Sequence, residues 1–259
     1  MRFIVMHKVD SHMESGGPPS QEIVQNMGAL VQESIKSRIF TTGAGLHRSA
    51  KRARLDRGGK VVTHGPYTGQ NKLVDSFAMI RARSLEEAVE RAREFARVLD
   101  AEVEVGPVVE PWDLGIMAKP AGNAGGRFLL LCKGDAATEG GGSAERRAKL
   151  LELVEALKRE GVLLMSDRLA PTARGSRLAS ATKTAATKTA ATKTAAGQAA
   201  GSASSSPKRA WVDGPFAESK ELIAGFSVLD LSSKADAIAW AERYAAILGD
   251  NEVDVRELE

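Results

Sequence analysis

The sequence predicts an α+β fold made of two copies of one module, and two observations support this prediction. The first is an internal repeat, in which MRFIVMHKVD at 1–10 pairs with GRFLLLCKGD at 126–135, and EVEV at 102–105 pairs with EVDV at 252–255. The second observation is that strand and helix patterns follow the same order in both copies.

Each copy begins with a short strand and a helix. Apolar residues at 3–8 form the first strand of the first copy, and residues 21–36 place Ile23, Met27 and Leu30 on one face of a helix. Two further strands follow. Ser84, with Glu87 three residues later, has the spacing of a capping box and predicts the start of a second helix before a last strand. The order β-α-β-β-α-β is the ferredoxin-like arrangement, in which both helices lie on one face of an antiparallel sheet.

The first strand of each copy is apolar on both of its faces. In the first copy Phe3 and Val5 point to one side, whereas Ile4 and Met6 point to the other. A strand of this kind should be buried on both sides. Helices can cover one face, and the simplest cover for the other is the sheet of the second copy. We therefore expect an intramolecular pseudo-dimer, packed sheet to sheet, which leaves open a higher homo-oligomer.

The repeat also predicts the domain boundaries. The modules span 1–108 and 126–259, with a linker at 109–125. The offset between the copies rises from 123 residues in the second strand to 149 at the later turn, so the second copy carries an insertion at 181–206. ATKTA occurs there three times, and its small or polar side chains predict a disordered loop. The alternative is a lysine-bearing segment, similar to a histone tail, that contacts acidic partners.

Composition excludes several classes of protein. The chain has 36 basic and 33 acidic residues, a balance that does not favour nucleic acid as a partner. The basic run at 51–60 lacks interleaved aromatic residues and is interpreted as a solvated hairpin tip. Cys132 is the single cysteine, so no internal disulfide can form, which favours the reducing cytoplasm. No apolar run approaches the ~20 residues of a membrane helix, so no membrane association is expected.

One turn occurs in both copies, with different charges. The second copy reads WVDGPFAESKE at 211–221, and the first reads VTHGPYTGQNK at 62–72. The glycine and proline are retained, which favours a rigid corner that leads into the next strand. The alternative makes Asp213 a carboxylate at the mouth of a cleft, with Glu218 and Lys220 beside it as ligand-binding groups. In the first copy His64 takes the place of Asp213.

The run WVDGPFAESKELIAGF at 211–226 and the run GAGLHRSAKRARL at 43–55 resemble the YCII-related family, in its DGPF-bearing branch. The resemblance covers both halves of the chain. It implies a dimeric α/β barrel and a His–Asp pair as an active site, with lyase- or dehalogenase-like enzymes among the relatives. Some members are encoded with, or fused to, extracytoplasmic-function sigma factors, which implies an accessory or regulatory protein as the alternative.

Two explanations compete for the histidine and aspartate of these motifs. His47 is retained in the first copy, whereas Ala170 takes its place in the second, and Asp213 is present in the second copy alone. Either His47 and Asp213 form one catalytic site shared by the two halves, or each half has lost part of its site and the chain is a binding or scaffolding module. Lys8 and Lys133 recur at one strand position, where they either bind an anionic ligand or reach solvent.

The ligand predicted between the halves is therefore a small polar or anionic molecule. No phosphate-binding loop or dinucleotide fingerprint is present, so no cofactor is predicted. The four histidines lie in the first 64 residues, and none forms a short ligand spacing with another, so no metal site is predicted.

Overall fold

The computed structural model of the chain describes residues 1–9, 11–67, 72–122, 125–134, 143–180, 209–216, 222–249 and 251–259. Within them the protein is α+β, as predicted, with two six-stranded antiparallel sheets. The insertion predicted at 181–206 lies outside the described residues, and so do Glu218 and Lys220.

The strands and helices follow the predicted order in both halves of the chain. The strands are β1 Arg2–Lys8, β2 Phe40–Gly45, β3 Ala53–Leu55, β4 Val61–His64, β5 Leu73–Ala82, β6 Val103–Pro107, β7 Gly126–Gly134, β8 Leu163–Arg168, β9 Ser176–Ser180, β10 Arg209–Asp213, β11 Ile223–Asp230 and β12 Val253–Glu257. The helices are α1 Ser11–Glu14, α2 Gln21–Lys36, α3 Leu85–Leu99, α4 Ala144–Arg159 and α5 Lys234–Leu248. Short 3₁₀ turns occupy Ser49–Lys51 and Thr172–Arg174.

A serine caps each of the four long helices. Each serine oxygen accepts a hydrogen bond from the amide three residues later, which satisfies one of the donors that a helix leaves unpaired at its start. The predicted cap at Ser84, which binds the Glu87 amide, is confirmed. The other three caps are Ser20, Ser143 and Ser233.

The two sheets exchange strands between the halves of the chain. The first sheet has the order β10-β9-β12-β1-β11-β2, and the second has the order β4-β3-β6-β7-β5-β8. The first strand of the first half, β1, thus lies between β11 and β12 of the second half. Equally, β7 lies between β5 and β6 of the first half. This differs from the expectation that each copy would form its own sheet.

Each pair of helices also combines the two halves. On the first sheet, the Trp240 indole of α5 donates to the Ser34 hydroxyl of α2 over 2.9 Å. On the second sheet, Arg91 of α3 and Glu160 at the end of α4 form an ion pair at 2.9 Å. The exchange therefore extends through the helical layers, and neither half of the chain packs only with itself.

The burial predicted on both faces of the first strands is confirmed. Phe3 and Val5 pack with the helices of the first sheet. Ile4 and Met6 instead join a cluster that contains residues of both sheets. In that cluster the rings of Phe77, on β5, and Phe226, on β11, have centroids 6.1 Å apart. The sheets thus pack face to face, with the helices on their outer surfaces. No helix among the described residues is long and apolar enough to cross a membrane.

The repeated Gly-Pro turns pack tightly against the 3₁₀ turns. A Cβ atom added to Gly65 would lie 1.8 Å from the carbonyl oxygen of Ser49, and one added to Gly214 would lie 1.8 Å from that of Thr172. No side chain fits at these distances. This close approach explains why both copies keep the glycine, and it supports the interpretation of the turn as a rigid corner.

We expect Gly214→Ala to lower the free energy of unfolding by about 1–3 kcal/mol, because the backbone must move to relieve the overlap with Thr172. Gly28→Ala is the matched control. Gly28 lies on α2 with nothing near its added Cβ, so alanine there should stabilise the protein by about 0.5–1 kcal/mol. Urea denaturation of both variants measures the difference. Equal stabilities for the two would contradict the proposed close packing of the turn.

Candidate functional site

A cleft of about 350 Å³ lies where the first sheet meets the end of β6. Beyond β2, Leu46 forms an antiparallel bridge with Val108, and the chain then turns into the 3₁₀ segment at Ser49–Lys51. Residues that line the cleft include Val9, Met13, Leu46, His47, Lys51 and Asp113. The cleft therefore has an apolar wall together with acidic, basic and imidazole groups.

His47 lies between two groups of opposite charge in this cleft. Its Nε2 atom is 3.3 Å from an Asp113 carboxylate oxygen, and its Nδ1 atom is 3.5 Å from the Lys51 ammonium. An ammonium group can only donate, so Nδ1 of a neutral imidazole accepts and its proton resides on Nε2, which donates to Asp113. The two neighbours thus select one tautomer of His47.

The pKa of His47 lies below its ordinary value. Burial of the imidazole is the main cause, and the nearby Lys51 ammonium adds to it, whereas the Asp113 carboxylate acts in the opposite direction. The side chain is 21% exposed, so it remains within reach of a molecule in the cleft. At neutral pH His47 is therefore mainly uncharged and can accept a proton.

Asp113 is held in place by the loop that follows β6. Its carboxylate accepts a hydrogen bond from the Glu110 amide at 2.9 Å. Glu110 is itself buried and forms an ion pair with Arg127, at the start of β7, over 2.6 Å. The loop is thus anchored to the second sheet, and this fixes the carboxylate that orients His47.

Glu14 closes another side of the cleft. Its carboxylate accepts hydrogen bonds from the Ser49 amide, at 3.2 Å, and from the Ser49 hydroxyl. The same hydroxyl oxygen accepts the Tyr67 amide at 2.9 Å. Arg48 donates to the Ser15 carbonyl at 3.3 Å. These contacts join the α1 segment to the turn that carries His47.

The structure does not bring His47 and Asp213 together. Asp213 ends β10, at one edge of the first sheet, whereas His47 follows β2, at the opposite edge. The five strand spacings between those edges correspond to roughly 24 Å along the sheet. Asp213 instead accepts from the Ser176 hydroxyl at 2.6 Å and pairs with Lys234 at 3.1 Å. The predicted His47–Asp213 pair is therefore wrong, because the two residues lie at opposite edges of the sheet. The carboxylate beside His47 belongs to Asp113.

The predicted ligand-binding lysines are buried in ion pairs. Lys8 lies 2.7 Å from Asp254, which also accepts from Arg177 at 2.6 Å. In the other sheet Lys133 lies 3.2 Å from Glu104. Both lysines are at most 3% exposed, so they do not reach solvent. Lys133 also lines a small cavity of about 30 Å³ together with Arg146 and Arg168.

Glu104 also pairs with two arginines from the run at 51–60. Arg52 is 2.9 Å away and Arg54 is 3.0 Å away. The interpretation of that run as a solvated tip is thus wrong for these two arginines. Nothing in the sequence around them indicated that a buried carboxylate would be their partner. The equivalent carboxylate in the first sheet is Asp254.

The aromatic residue of each Gly-Pro turn covers one of these ion clusters. The ring of Phe216 lies under the Arg177 guanidinium, with the centroid 4.5 Å from its central carbon. Tyr67 covers Arg54 in the same way, at 4.1 Å. A cation over an aromatic face is stabilised by the ring quadrupole. In both copies the turn thus places an aromatic ring on an ion cluster, whereas the acid Asp213 is present in the second copy alone.

The remaining candidate groups are dispersed. His7 is buried, with Nδ1 2.6 Å from the Tyr244 hydroxyl, and Nε2 of His12 lies 3.2 Å from the Pro18 carbonyl oxygen. Among the residues that the structure describes, no three His, Cys, Asp or Glu side chains are grouped as a metal site. Glu218 and Lys220 stay predictions, since they fall outside the described segments.

Sequence reasoning missed Asp113 and Lys51. Asp113 lies in the predicted linker, and an offset of 150 would place its counterpart at position 263 of a chain of 259 residues, so comparison of the copies could not reveal it. The run EVEVGPVVEPWDLG at 102–115, which also resembles the YCII-related family, is the signal that the sequence offers for Asp113. Lys51 follows His47 by four residues, but only the 3₁₀ turn at Ser49–Lys51 brings its ammonium group next to the imidazole.

Comparison with known proteins gives one match. A family model for the YCII-related domain matches residues 1–112 and again residues 127–258, which accounts for both copies of the repeat. No curated protein and no solved structure matches the chain.

We expect the stability of the protein to fall as the pH drops from about 4.5 to about 2. Burial alone would raise the pKa of Glu104, but the Lys133, Arg52 and Arg54 cations outweigh it and hold the pKa at about 2. The unfolded chain takes up this proton near 4.5, so the unfolded state binds more protons between these values. Protonation of this one carboxylate should lower the free energy of unfolding by about 3 kcal/mol.

Urea denaturation at a series of pH values measures this loss. Glu104→Gln should flatten the slope over that interval, while Asp254, whose pKa is also held low by Lys8 and Arg177, still contributes. The variant should also be less stable at neutral pH, by about 3–5 kcal/mol, because it leaves buried cations without a counterion. An unchanged slope in Glu104→Gln would show that this carboxylate does not titrate as described.

The pKa of His47 should respond in opposite directions to its two neighbours. Lys51→Met should raise it by removing a cation, and Asp113→Asn should lower it further by removing an anion. Proton NMR titration of the His47 ring measures both changes. Lys149→Met, which removes an exposed lysine on α4, is the control and should leave the titration unaltered. Shifts in the same direction for the Lys51 and Asp113 variants would contradict the site geometry.

Proposed function

The chain belongs to the YCII-related family, and on that premise we propose that it binds a small polar or anionic ligand beside His47 and uses His47 and Asp113 as an acid–base pair. The observation that carries the proposal is the uncharged His47, fixed by Asp113 inside a cleft of about 350 Å³. Volumes of 300–1,000 Å³ are usual for small-molecule sites.

Ligand recognition would use the groups around the imidazole. Lys51 and Arg48 offer cationic donors to a carboxylate, phosphate or phenolate group of the ligand. Val9, Met13 and Leu46 provide an apolar wall for the rest of the molecule. The ligand we propose is therefore a small molecule with one anionic group and an apolar body.

Proton transfer would follow from the tautomer of His47. The lone pair on Nδ1 faces Lys51, and a ligand that displaces this weak contact would meet a base. As Nδ1 takes the proton, the imidazole becomes positively charged, and the Asp113 carboxylate beside Nε2 stabilises that charge. The same group can return the proton to a leaving group, which suits lyase- or dehalogenase-like chemistry.

We also infer that the two sheets form a pseudo-dimer of the dimeric α/β-barrel type with ferredoxin-like layers. Two isolated bridges support this inference, since Leu46 pairs with Val108 at one corner and Leu169 with Leu258 at the other. Each bridge links an edge strand of one sheet to a strand of the other. A cytoplasmic location, based on the single Cys132, and a higher homo-oligomer stay predictions.

A thermal-shift screen of small carboxylates, phosphates and phenols at neutral pH tests the proposed function. A ligand present at 100 times its dissociation constant should stabilise the wild-type protein by about 2.7 kcal/mol. His47→Asn should lose this stabilisation. His64→Asn should retain it, because His64 is an exposed residue on β4 that does not line the cleft. Ligands that pass this test can be assayed for turnover by NMR.

Two results would contradict the proposal. Compounds that stabilise His47→Asn as much as the wild-type protein would bind elsewhere. A screen in which nothing stabilises the wild-type protein would instead favour the accessory or regulatory alternative, in which the protein acts through contacts with other proteins.

A further inference from the structure

Arg52 connects the backbone of His47 to both sheets. Its Nε donates to the His47 carbonyl oxygen at 2.7 Å. Its Nη1 donates to Glu104 on β6 of the second sheet and to the Ile223 carbonyl on β11 of the first, each at 2.9 Å. Arg52 is only 1% exposed, so one buried guanidinium fixes the position of the cleft histidine.

The glycine opposite Arg52 makes room for this side chain. The pairing of β3 with β6 places Ala53 opposite Val105, so Arg52 and Gly106 are neighbours across the two strands. A Cβ atom added to Gly106 would lie 2.7 Å from Cγ of Arg52. The arginine therefore passes directly over the glycine, and the two residues act as a pair.

The second copy contains the same pair with the two strands interchanged. The repeat equates Arg52 with Gly175 and Gly106 with Arg256. Arg256 is 3% exposed and donates from Nη2 to the carbonyl oxygen of Ala170, the counterpart of His47. A Cβ atom on Gly175 would lie 2.6 Å from Cδ of Arg256. The guanidinium thus reaches the equivalent carbonyl from the opposite strand.

We infer that Arg52 is a positioning residue for His47, and that an arginine from either strand of the pair can perform this role. In both copies a guanidinium donates to this backbone carbonyl. The copies differ in the strand that carries the arginine, and in the residue that carries the carbonyl, which is His47 in one and Ala170 in the other. The feature they share is the path of the chain beyond β2 or β8. In the copy with His47, this path directs the imidazole between Lys51 and Asp113.

The Arg52 guanidinium is not fully hydrogen-bonded. Its Nη2 atom is buried and has no hydrogen-bond partner among the residues that the structure describes. A buried donor left unpaired on a charged group is unfavourable. The importance of Arg52 for ligand binding rests on the proposed function. Its effect on the position of His47 does not, because that effect can be measured without any ligand.

The experiment follows the His47 ring by NMR during a pH titration, with the resonance identified by its absence in His47→Asn. Arg52→Lys keeps the positive charge but cannot reproduce the forked contacts with the carbonyl and Glu104. We expect the imidazole to gain water and its pKa to rise towards the ordinary value, since burial is the main cause of its lowering. Arg256→Lys is the matched control and should leave the titration of His47 unchanged.

A double variant tests the interchange directly. Arg52→Gly combined with Gly106→Arg gives the first copy the arrangement of the second, and it should fold and restore the wild-type titration. The inference is overturned if Arg52→Lys is folded with an unaltered titration, if Arg256→Lys shifts His47 equally, or if the double variant unfolds or fails to restore the titration. Should Arg52→Lys not fold, the double variant decides alone.

The outcome is separable from that of the ligand screen. A shifted titration in Arg52→Lys that the double variant reverses supports the positioning role even if no compound binds. Conversely, ligands that bind through His47 while Arg52→Lys titrates like the wild-type protein would support the proposed function and overturn the role of Arg52.

Discussion

A carboxylate buried between a lysine and an arginine holds each sheet together, and much of the structure depends on this contact. Asp254 connects Lys8 of the other half to Arg177, and Glu104 makes the same connection for Lys133 and Arg54. Burying such ions costs solvation free energy, and removing one partner is more costly still. The clusters therefore penalise any strand pairing that would separate the charges, and the aromatic rings of the Gly-Pro turns cover them from outside.

Duplication has allowed the two copies to diverge around this common frame. Both keep the ion cluster, the glycine of the turn and a guanidinium at the carbonyl beyond the second strand. Only one copy keeps an imidazole at that carbonyl, whereas the other has Ala170, which is fully buried. The parts that support the fold are thus duplicated, whereas the proposed acid–base pair is present in one copy alone.

The structural features that depend on a local residue pattern could be predicted from the sequence. The two-sided apolar strands and the Ser84 cap follow from periodicity and capping, and both are confirmed. The strand exchange could not be predicted, because β11 and β12 copy the pattern of β5 and β6, so either set satisfies the edges of β1. Asp113 could not be paired with His47 because the two residues meet only through the packing of a loop against the second sheet.

The exchange of strands has a consequence for synthesis on the ribosome. The strands of the second sheet all lie between residues 53 and 168, so this layer can assemble while the rest of the chain is still being made. Lys8 and its partner Asp254 are 246 residues apart, and β1 gains its two neighbours only after β11 and β12 emerge. Until then both edges of β1 stay without their hydrogen-bonded partners, in a state prone to aggregation. For most of its synthesis, therefore, the chain carries an early strand whose edges are open to pairing with another chain.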